Sequence, residues 1–234
     1  MIILALDSTA QTGSVALCRD EKLIASFTLN TGNTHSETLL PSVEAVLSLG
    51  GMTADDVDLF ACAKGPGSFT GVRIGAATVK GLAFGKDKPA LGVSTLEALA
   101  YNLRGFSGIL CPVMNARRSQ VYNALFRAEN GKLQRLCPDR ALSLSELSEE
   151  LAAYGDTPVY LSGDGYDMTR AALTDCNLQE TPEELIYQSG YSVAMCALAA
   201  YEAGDRTTDA ELVPTYLRLP QAERERLEKE KNQK

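Results

Sequence analysis

The residues with the most chemical potential fall in one stretch, Lys64-Gly65-Pro66-Gly67-Ser68-Phe69-Thr70-Gly71-Val72-Arg73-Ile74-Gly75. An apolar run, Val57 to Ala63, leads into it, and a helix-like run, Gly71 to Gly85, leads out. Backbone N–H groups at such a strand-to-helix turn can hold an anion, which makes Gly65, Gly67 and Ser68 candidates for a phosphate cradle. Spacing tests three chemistries. A Walker loop needs G-x-x-x-x-G-K-[ST]; here Gly71 is followed by Val72, and spacing and lysine both fail. G-x-G-x-x-x-G is a loosened dinucleotide fingerprint, but Pro66 removes one N–H and no acid sits cleanly at a strand end about twenty residues on. A nucleophile elbow, G-x-S-x-G, fails because Ser68 follows Gly67 directly, and nothing links Ser68 to the one histidine, His35.

A packing role explains the glycines better. At about 100° per residue, Gly71, Ile74, Gly75, Thr78, Gly81, Leu82 and Gly85 share one side of a helix. Glycine inside a helix costs roughly 1 kcal/mol against alanine, which is tolerated where another backbone must come close. Arg73 and Lys80 form a narrow polar ridge on the other side. This helix is expected to be wedged between a sheet and a second helix or subunit.

The remaining chemistry is sparse. Asn115-Ala116-Arg117-Arg118 is a basic spot suited either to a phosphate or partner carboxylate or to bracing a lobe junction. Asp164, between Gly163 and Gly165, reads as a nucleotide-loop remnant or a plain turn. The six cysteines are scattered without a C-x-x-C and read as buried, reduced thiols.

These residues need elements to position them. Ile2 to Leu6, Ser14 to Arg19 and Leu23 to Leu29 read as an antiparallel meander. Thr34-His35-Ser36-Glu37 has capping-box spacing and opens a helix with Leu39, Leu40, Val43, Val46 and Leu47 at helical period, which Pro41 should bend or delay. Val57 to Ala63, the glycine helix, Pro89 to Val93 and a helix capped by Ser94 follow. The second half repeats the theme: strands at Gly108 to Asn115, Gln120 to Arg127 and Leu133 to Cys137, a helix from Ser143, a strand from Pro158 to Ser162, and a helix from Ser192 to Ala203. A repeated β-β-β-α-β-α is the arrangement of the actin, hexokinase and Hsp70 ATPase (ASKHA, ribonuclease H-like) superfamily. The expected fold is α/β with two actin-like lobes, each a mixed five-stranded sheet with helices. They span residues 1–104 and 105–219, and a charged tail, frayed or disordered, spans 220–234.

A formal charge of -8 and pI of about 4.8 argue against autonomous nucleic-acid binding. The N-terminus lacks a basic leader, and no apolar run approaches ~20 residues, so a cytoplasmic protein without membrane spans is expected.

The string Gly65 to Gly75 resembles the signature of the TsaB (YeaZ) family. Leu4-Ala5-Leu6-Asp7-Ser8-Thr9 resembles that family's first phosphate-loop-like turn, and His35-Ser36-Glu37-Thr38-Leu39-Leu40-Pro41 its first helix. Asn115-Ala116-Arg117-Arg118-Ser119-Gln120-Val121-Tyr122 is similar to its D-A-R-R-x-x-V-Y stretch, with Asn115 in place of the usual acid. Pro214-Thr215-Tyr216-Leu217-Arg218 is like its closing P-x-Y-x-R. The matches run in order through nearly the whole chain.

The resemblance implies a non-catalytic scaffold subunit required for threonylcarbamoyladenosine modification of tRNA beside the anticodon. It implies as partners a TsaD-type transferase, a TsaE-type ATPase through the assembly, tRNA indirectly, and a homodimer in isolation. The implied partner-binding residues lie on the two first-lobe helices: His35, Leu39, Leu40, Val43, Val46, Leu47, Val72, Arg73, Gly75, Ala76, Val79 and Lys80. Asp7, Ser8 and Thr9, with Gly65, Gly67 and Ser68, would be the relic of a nucleotide site. No cofactor is expected to bind tightly; ATP, ADP or magnesium would bind only weakly or at a shared interface. The transferase resembles H-x-x-x-H in its metal helix; this chain offers His35 and then Leu39, so a two-histidine site cannot be built. The alternative is an enzyme acting alone, a glycoprotease-like peptidase or a nucleotide-dependent phosphotransferase, motivated by the glycine loop, Asp7 and the fold.

Overall fold

The computed structural model describes residues 1–218; the charged tail expected over 220–234 lies outside the described residues. The chain opens with the meander β1 (Ile2–Asp7), β2 (Gly13–Arg19) and β3 (Lys22–Leu29), followed by α1 (His35–Leu49), β4 (Leu59–Ala63), α2 (Phe69–Ala83) and β5 (Ala90–Val93). The sheet order is β3-β2-β1-β4-β5, antiparallel through the meander and parallel from β1 to β5. β1 and β4 are the near-continuous apolar runs that central strands buried on both faces require. Alternation splits them: Leu4, Leu6 and Phe60 meet Val43, Val46, Ala76 and Val79 of α1 and α2, while Ile3, Ala5 and Leu59 face the other way.

Pro41 lies inside α1 without ending it. Thr38 Oγ1 and Ser42 Oγ donate to carbonyls one turn back. The capping box expected at Thr34 does not form: Thr34 Oγ1 donates to the Glu37 carboxylate and caps no backbone N–H.

The second half runs α3 (Thr95–Asn102), β6 (Gly108–Asn115), β7 (Gln120–Asn123), β8 (Phe126–Glu129), β9 (Lys132–Arg135), β10 (Arg140–Ser143), α4 (Leu144–Ala152), β11 (Val159–Ser162), α5 (Tyr166–Ala172), α6 (Glu183–Ile186) and α7 (Gly190–Glu202). Its sheet has six strands where five were expected. β7 and β8 pair with β6 in one continuous register, Val113 opposite Asn123 and Gly108 opposite Ala128. They are halves of one strand broken at Ala124-Leu125, where the Leu125 N–H donates to Cys137 Sγ at 3.1 Å. β9 pairs with one half and β10 with the other. Where a fifth strand would flank β11 there is one parallel bridge, Val159 to Leu178.

The strands divide between Val93 and Gly108, but the core does not follow that division. α7, expected to belong to the second lobe, packs on the first sheet: Val193, Ala194 and Ala197 are buried against Ile3, Ala5, Leu59 and Leu91. Its first N–H, on Gly190, donates to Ser14 Oγ at 2.9 Å. The first sheet is thus covered by α1 and α2 on one face and by α7 on the other. The six cysteines are free thiols; burial pushes Cys18 and Cys62 up to about 12.

Candidate functional site

β1 delivers Asp7 into the interior, fully buried. Its Oδ1 accepts from the Thr9 N–H at 2.8 Å and Oγ1 at 2.6 Å, while Oδ2 has no partner. Burial pushes the carboxyl up to about 6, against the opposing pull of the Thr9 hydrogen bonds. The next residues turn toward the glycine loop. Ser8 Oγ donates to the Gly71 carbonyl at 2.9 Å, and the Ser68 N–H donates to the Thr9 carbonyl at 2.7 Å. Ser68 caps α2 by accepting from the Gly71 N–H at 3.3 Å.

This stitching explains two glycines. A Cβ on Gly71 would overlap the Ser8 carbonyl oxygen, and one on Gly75 would sit 2.6 Å from Ser8 Oγ. The close approach read from the helix is therefore made by the chain's own first turn.

A cleft of about 720 Å³ opens between the lobes beside this stitch. Gly67, Ser68, Phe69, His35 and Ser36 line it from the first lobe; Asn115, Ala116, Arg117 and Asp164 line it from the second. His35, the first residue of α1, donates from Nε2 to the Ala10 carbonyl at 2.6 Å, since a carbonyl can only accept. Asp164 is raised by burial, and its Oδ1 accepts from the Asn115 N–H at 2.9 Å. Arg117, Arg118 and Ser119 run consecutively through the left-handed region, with φ of 63°, 54° and 55°. Such backbone is held only where its surroundings over-determine it. Here the Arg117 N–H donates to Asn115 Oδ1 at 2.8 Å, and the Asp164 bond pins Asn115 in turn. Asn115, standing where the resembling motif carries an acid, is thus a brace for the loop.

The six candidate nucleotide residues do come together. Asp7, Ser8, Thr9 and Ser68 bond one another or the loop backbone, and Gly65 and Gly67 complete the loop beside them. Ser8 Oγ, the Ser68 N–H and one Asp7 oxygen each hold an internal partner, while the second Asp7 oxygen holds none. Among the described residues no group of three His, Cys, Asp or Glu could hold a metal ion. No helix among the described residues is long and apolar enough to cross a membrane.

The expected partner-binding residues separate. Leu39, Val43, Val46, Leu47, Val72, Gly75, Ala76 and Val79 are buried in the chain's own core, because the apolar stripes of α1 and α2 face the sheet. These eight cannot be a contact surface in the folded chain, which corrects their assignment. Arg73 and Lys80 are engaged by the C-terminal segment. Arg73 Nε donates to the Tyr216 hydroxyl at 2.8 Å with its guanidinium 3.8 Å over the Phe69 ring, and Lys80 Nζ donates to the Leu212 carbonyl at 3.1 Å. His35 lines the cleft. Leu40 alone of the set is a large apolar side chain in the open, 48% exposed, with Leu49 and Phe84 exposed at 84% and 78% at the ends of the same two helices. Tyr216 and Arg218 belong to the closing P-x-Y-x-R motif, but the pairing of Tyr216 with Phe69 and Arg73 is not legible, since nothing local marks residues that lie 143 positions apart as partners.

Known proteins place this geometry. The family model described as "TsaD: tRNA N6-adenosine threonylcarbamoyltransferase" matches residues 24–225. The "tRNA threonylcarbamoyladenosine biosynthesis protein TsaB" of Bacillus subtilis (strain 168) is 35% identical over 232 residues, covering 99% of this chain and 100% of that protein. The protein of the same name from Escherichia coli (strain K12) is 40% identical over 135 residues, 56% of this chain and 58% of that one. The solved structure "YeaZ from Pseudomonas aeruginosa" superposes with a TM-score of 0.77 at 25% identity, covering 92% of this chain and 99% of that chain. The likeness extends from end to end in both sequence and fold, and the chain belongs to the TsaB (YeaZ) family.

Proposed function

We propose that this chain serves tRNA threonylcarbamoyladenosine biosynthesis as a subunit that performs no chemistry itself and supports a TsaD-type transferase. The full-length match to the Bacillus subtilis protein named for that biosynthesis carries the reading. The non-catalytic part is supported by the commitment of the Asp7-Ser8-Thr9 turn to the glycine loop and by the engagement of the sole histidine with Ala10.

Docking runs over the outer face of the first-lobe helix pair: Leu40, Glu44 and Leu49 of α1 with Ala77, Gly81 and Phe84 of α2, all exposed. The partner's own family model matches this chain over residues 24–225, so the partner can present an equivalent helix pair. Two such pairs meet in near two-fold fashion, and in the partner's absence a second copy takes the same place.

The test is reconstitution of tRNA modification from purified TsaD-type transferase and TsaE-type ATPase, with this chain present, absent, or carrying Leu40→Arg and Ala77→Arg. Omission abolishes modification. The double variant folds, because both positions are exposed, but loses co-purification with the transferase and at least about tenfold of activity, the effect of a charge placed in an apolar contact. Undiminished modification without the chain refutes the role. ATP turnover by the isolated chain would favour the lone-enzyme alternative.

A further inference from the structure

The C-terminal segment touches both lobes at the cleft, and its contacts divide cleanly. On the first lobe, Leu212 is buried in the α1–α2 core. The Thr215 N–H donates to the Lys64 carbonyl at 2.7 Å, and Tyr216 stacks on Phe69 at 4.9 Å while accepting from Arg73. On the second lobe, Arg218 donates to the Ala116 carbonyl at 3.3 Å and to Gln120 Oε1 at 2.6 Å, holding the loop of left-handed residues. Residues 215–218 line the cleft themselves. Further links run through α3 and α7, none of whose residues lines the cleft, through their flanks, where Ser94 donates to Asp139 and Gln188 to Met114, and through Ala10, which lines the cleft and packs in the second-lobe core.

We propose that the segment from Leu212 to Arg218 is a latch that closes the open side of the two-lobed molecule and sets the width of the cleft. α3 and α7 form the hinge side, where Asn102 of α3 accepts from the Ser192 hydroxyl of α7 at 2.5 Å. The strap spans the opposite side, anchored at one end by a buried leucine and an aromatic stack and at the other by one arginine. The arginine end is the weaker, because it rests on two hydrogen bonds at a part-buried site and a 5.8 Å approach to the Tyr122 ring, with no buried apolar anchor, so release starts at Arg218. The strap also holds Arg73 and Lys80 of α2, so lobe opening is transmitted to that helix. The inference goes beyond the docking role and does not depend on it.

Hydrogen exchange on the full chain tests this, comparing wild type with Arg218→Ala and with Gln120→Ala, which breaks the same contact from the other lobe. Gln120→Ala, which loses one charge-assisted hydrogen bond, speeds exchange about tenfold over residues 115–122, and Arg218→Ala, which loses both, speeds it at least as much. A latch speeds exchange equally over 64–70 and 34–36, across the cleft, where Arg218 makes no contact. Exchange confined to 115–122 in both variants would overturn the latch and leave Arg218 as a local brace. α7 amides provide the check that the fold is intact.

Discussion

Asp7 is a carboxylate with no solvent and only one of its two oxygens bonded. Burial raises it to about 6, whereas in the unfolded chain it titrates near 3.8. Between those values the native state binds more protons than the unfolded state, so stability falls as pH rises through the window and levels off above it. Below about pH 4 both states hold the proton and the penalty vanishes. The two-unit displacement corresponds to about 3 kcal/mol at full ionisation. Asp7→Asn keeps an acceptor for the two Thr9 donors and removes the charge. The variant is expected to be more stable than wild type at pH 7.5, with the gain shrinking toward zero by pH 4. Urea denaturation of both proteins at four pH values across that range reads the difference directly, and a pH-independent difference would show that Asp7 is not the buried group that titrates. The same residue carries the sequence's strongest hint of magnesium chemistry. Its hydrogen bonds to Thr9 and the coupling of Ser8 to Gly71 make it part of a packing joint.

At the scale of elements, α2 shows what a periodic pattern can and cannot reveal. Gly71, Gly75 and Gly81 read alike on a helical projection, yet their surroundings differ. A Cβ on Gly71 would overlap the Ser8 backbone, while one on Gly81 would meet nothing within 4 Å. Gly71→Ala should therefore displace α2 from the first turn and destabilise by about 1–3 kcal/mol, the range for overpacking. Gly81→Ala should stabilise by about 0.5–1 kcal/mol through helix propensity. Thermal melts of the two variants moving in the same direction would contradict this assignment. Periodicity identifies the face of a helix but not its neighbour, which is why buried Val43 and Val72 could be taken for contact residues. The central strands are legible because Ile2 to Leu6 and Val57 to Ala63 are unbroken apolar runs, and the helix starts at Ser94 and Ser143 because each hydroxyl caps an N–H three residues on. The break at Ala124-Leu125 and the short β10 are not legible: four residues, Arg-Ala-Leu-Ser, carry no period, and the break depends on Cys137 from the connection between β9 and β10.

In the whole molecule, chain order and core membership part company at α7. Its sequence is apolar nearly all round, the pattern of a helix buried on several sides, but nothing in that pattern names the sheet it will cover. The structure puts it on the first sheet, nearly a hundred residues away in sequence from the nearest strand of that sheet, β5. A division of the chain near residue 104 therefore leaves the first lobe without one of its faces. Removing α7 uncovers Ile3, Ala5, Ala16, Leu59 and Leu91 together. Each large apolar side chain returned to water forfeits roughly 1.5–3 kcal/mol, and several such losses match the whole stability of a typical domain, about 5–15 kcal/mol. A fragment of residues 1–104 is accordingly expected to retain secondary structure by circular dichroism, bind a hydrophobic dye, and melt without a cooperative transition. Adding a peptide of residues 188–206 should restore the transition and release the dye, because Gly190 and Val193 regain their places against β1 and β2. A fragment that melts sharply without the peptide would show that α7 lies on a surface the first lobe can leave open. In that case the Arg218 strap, rather than a shared core, would be the principal bond between the lobes.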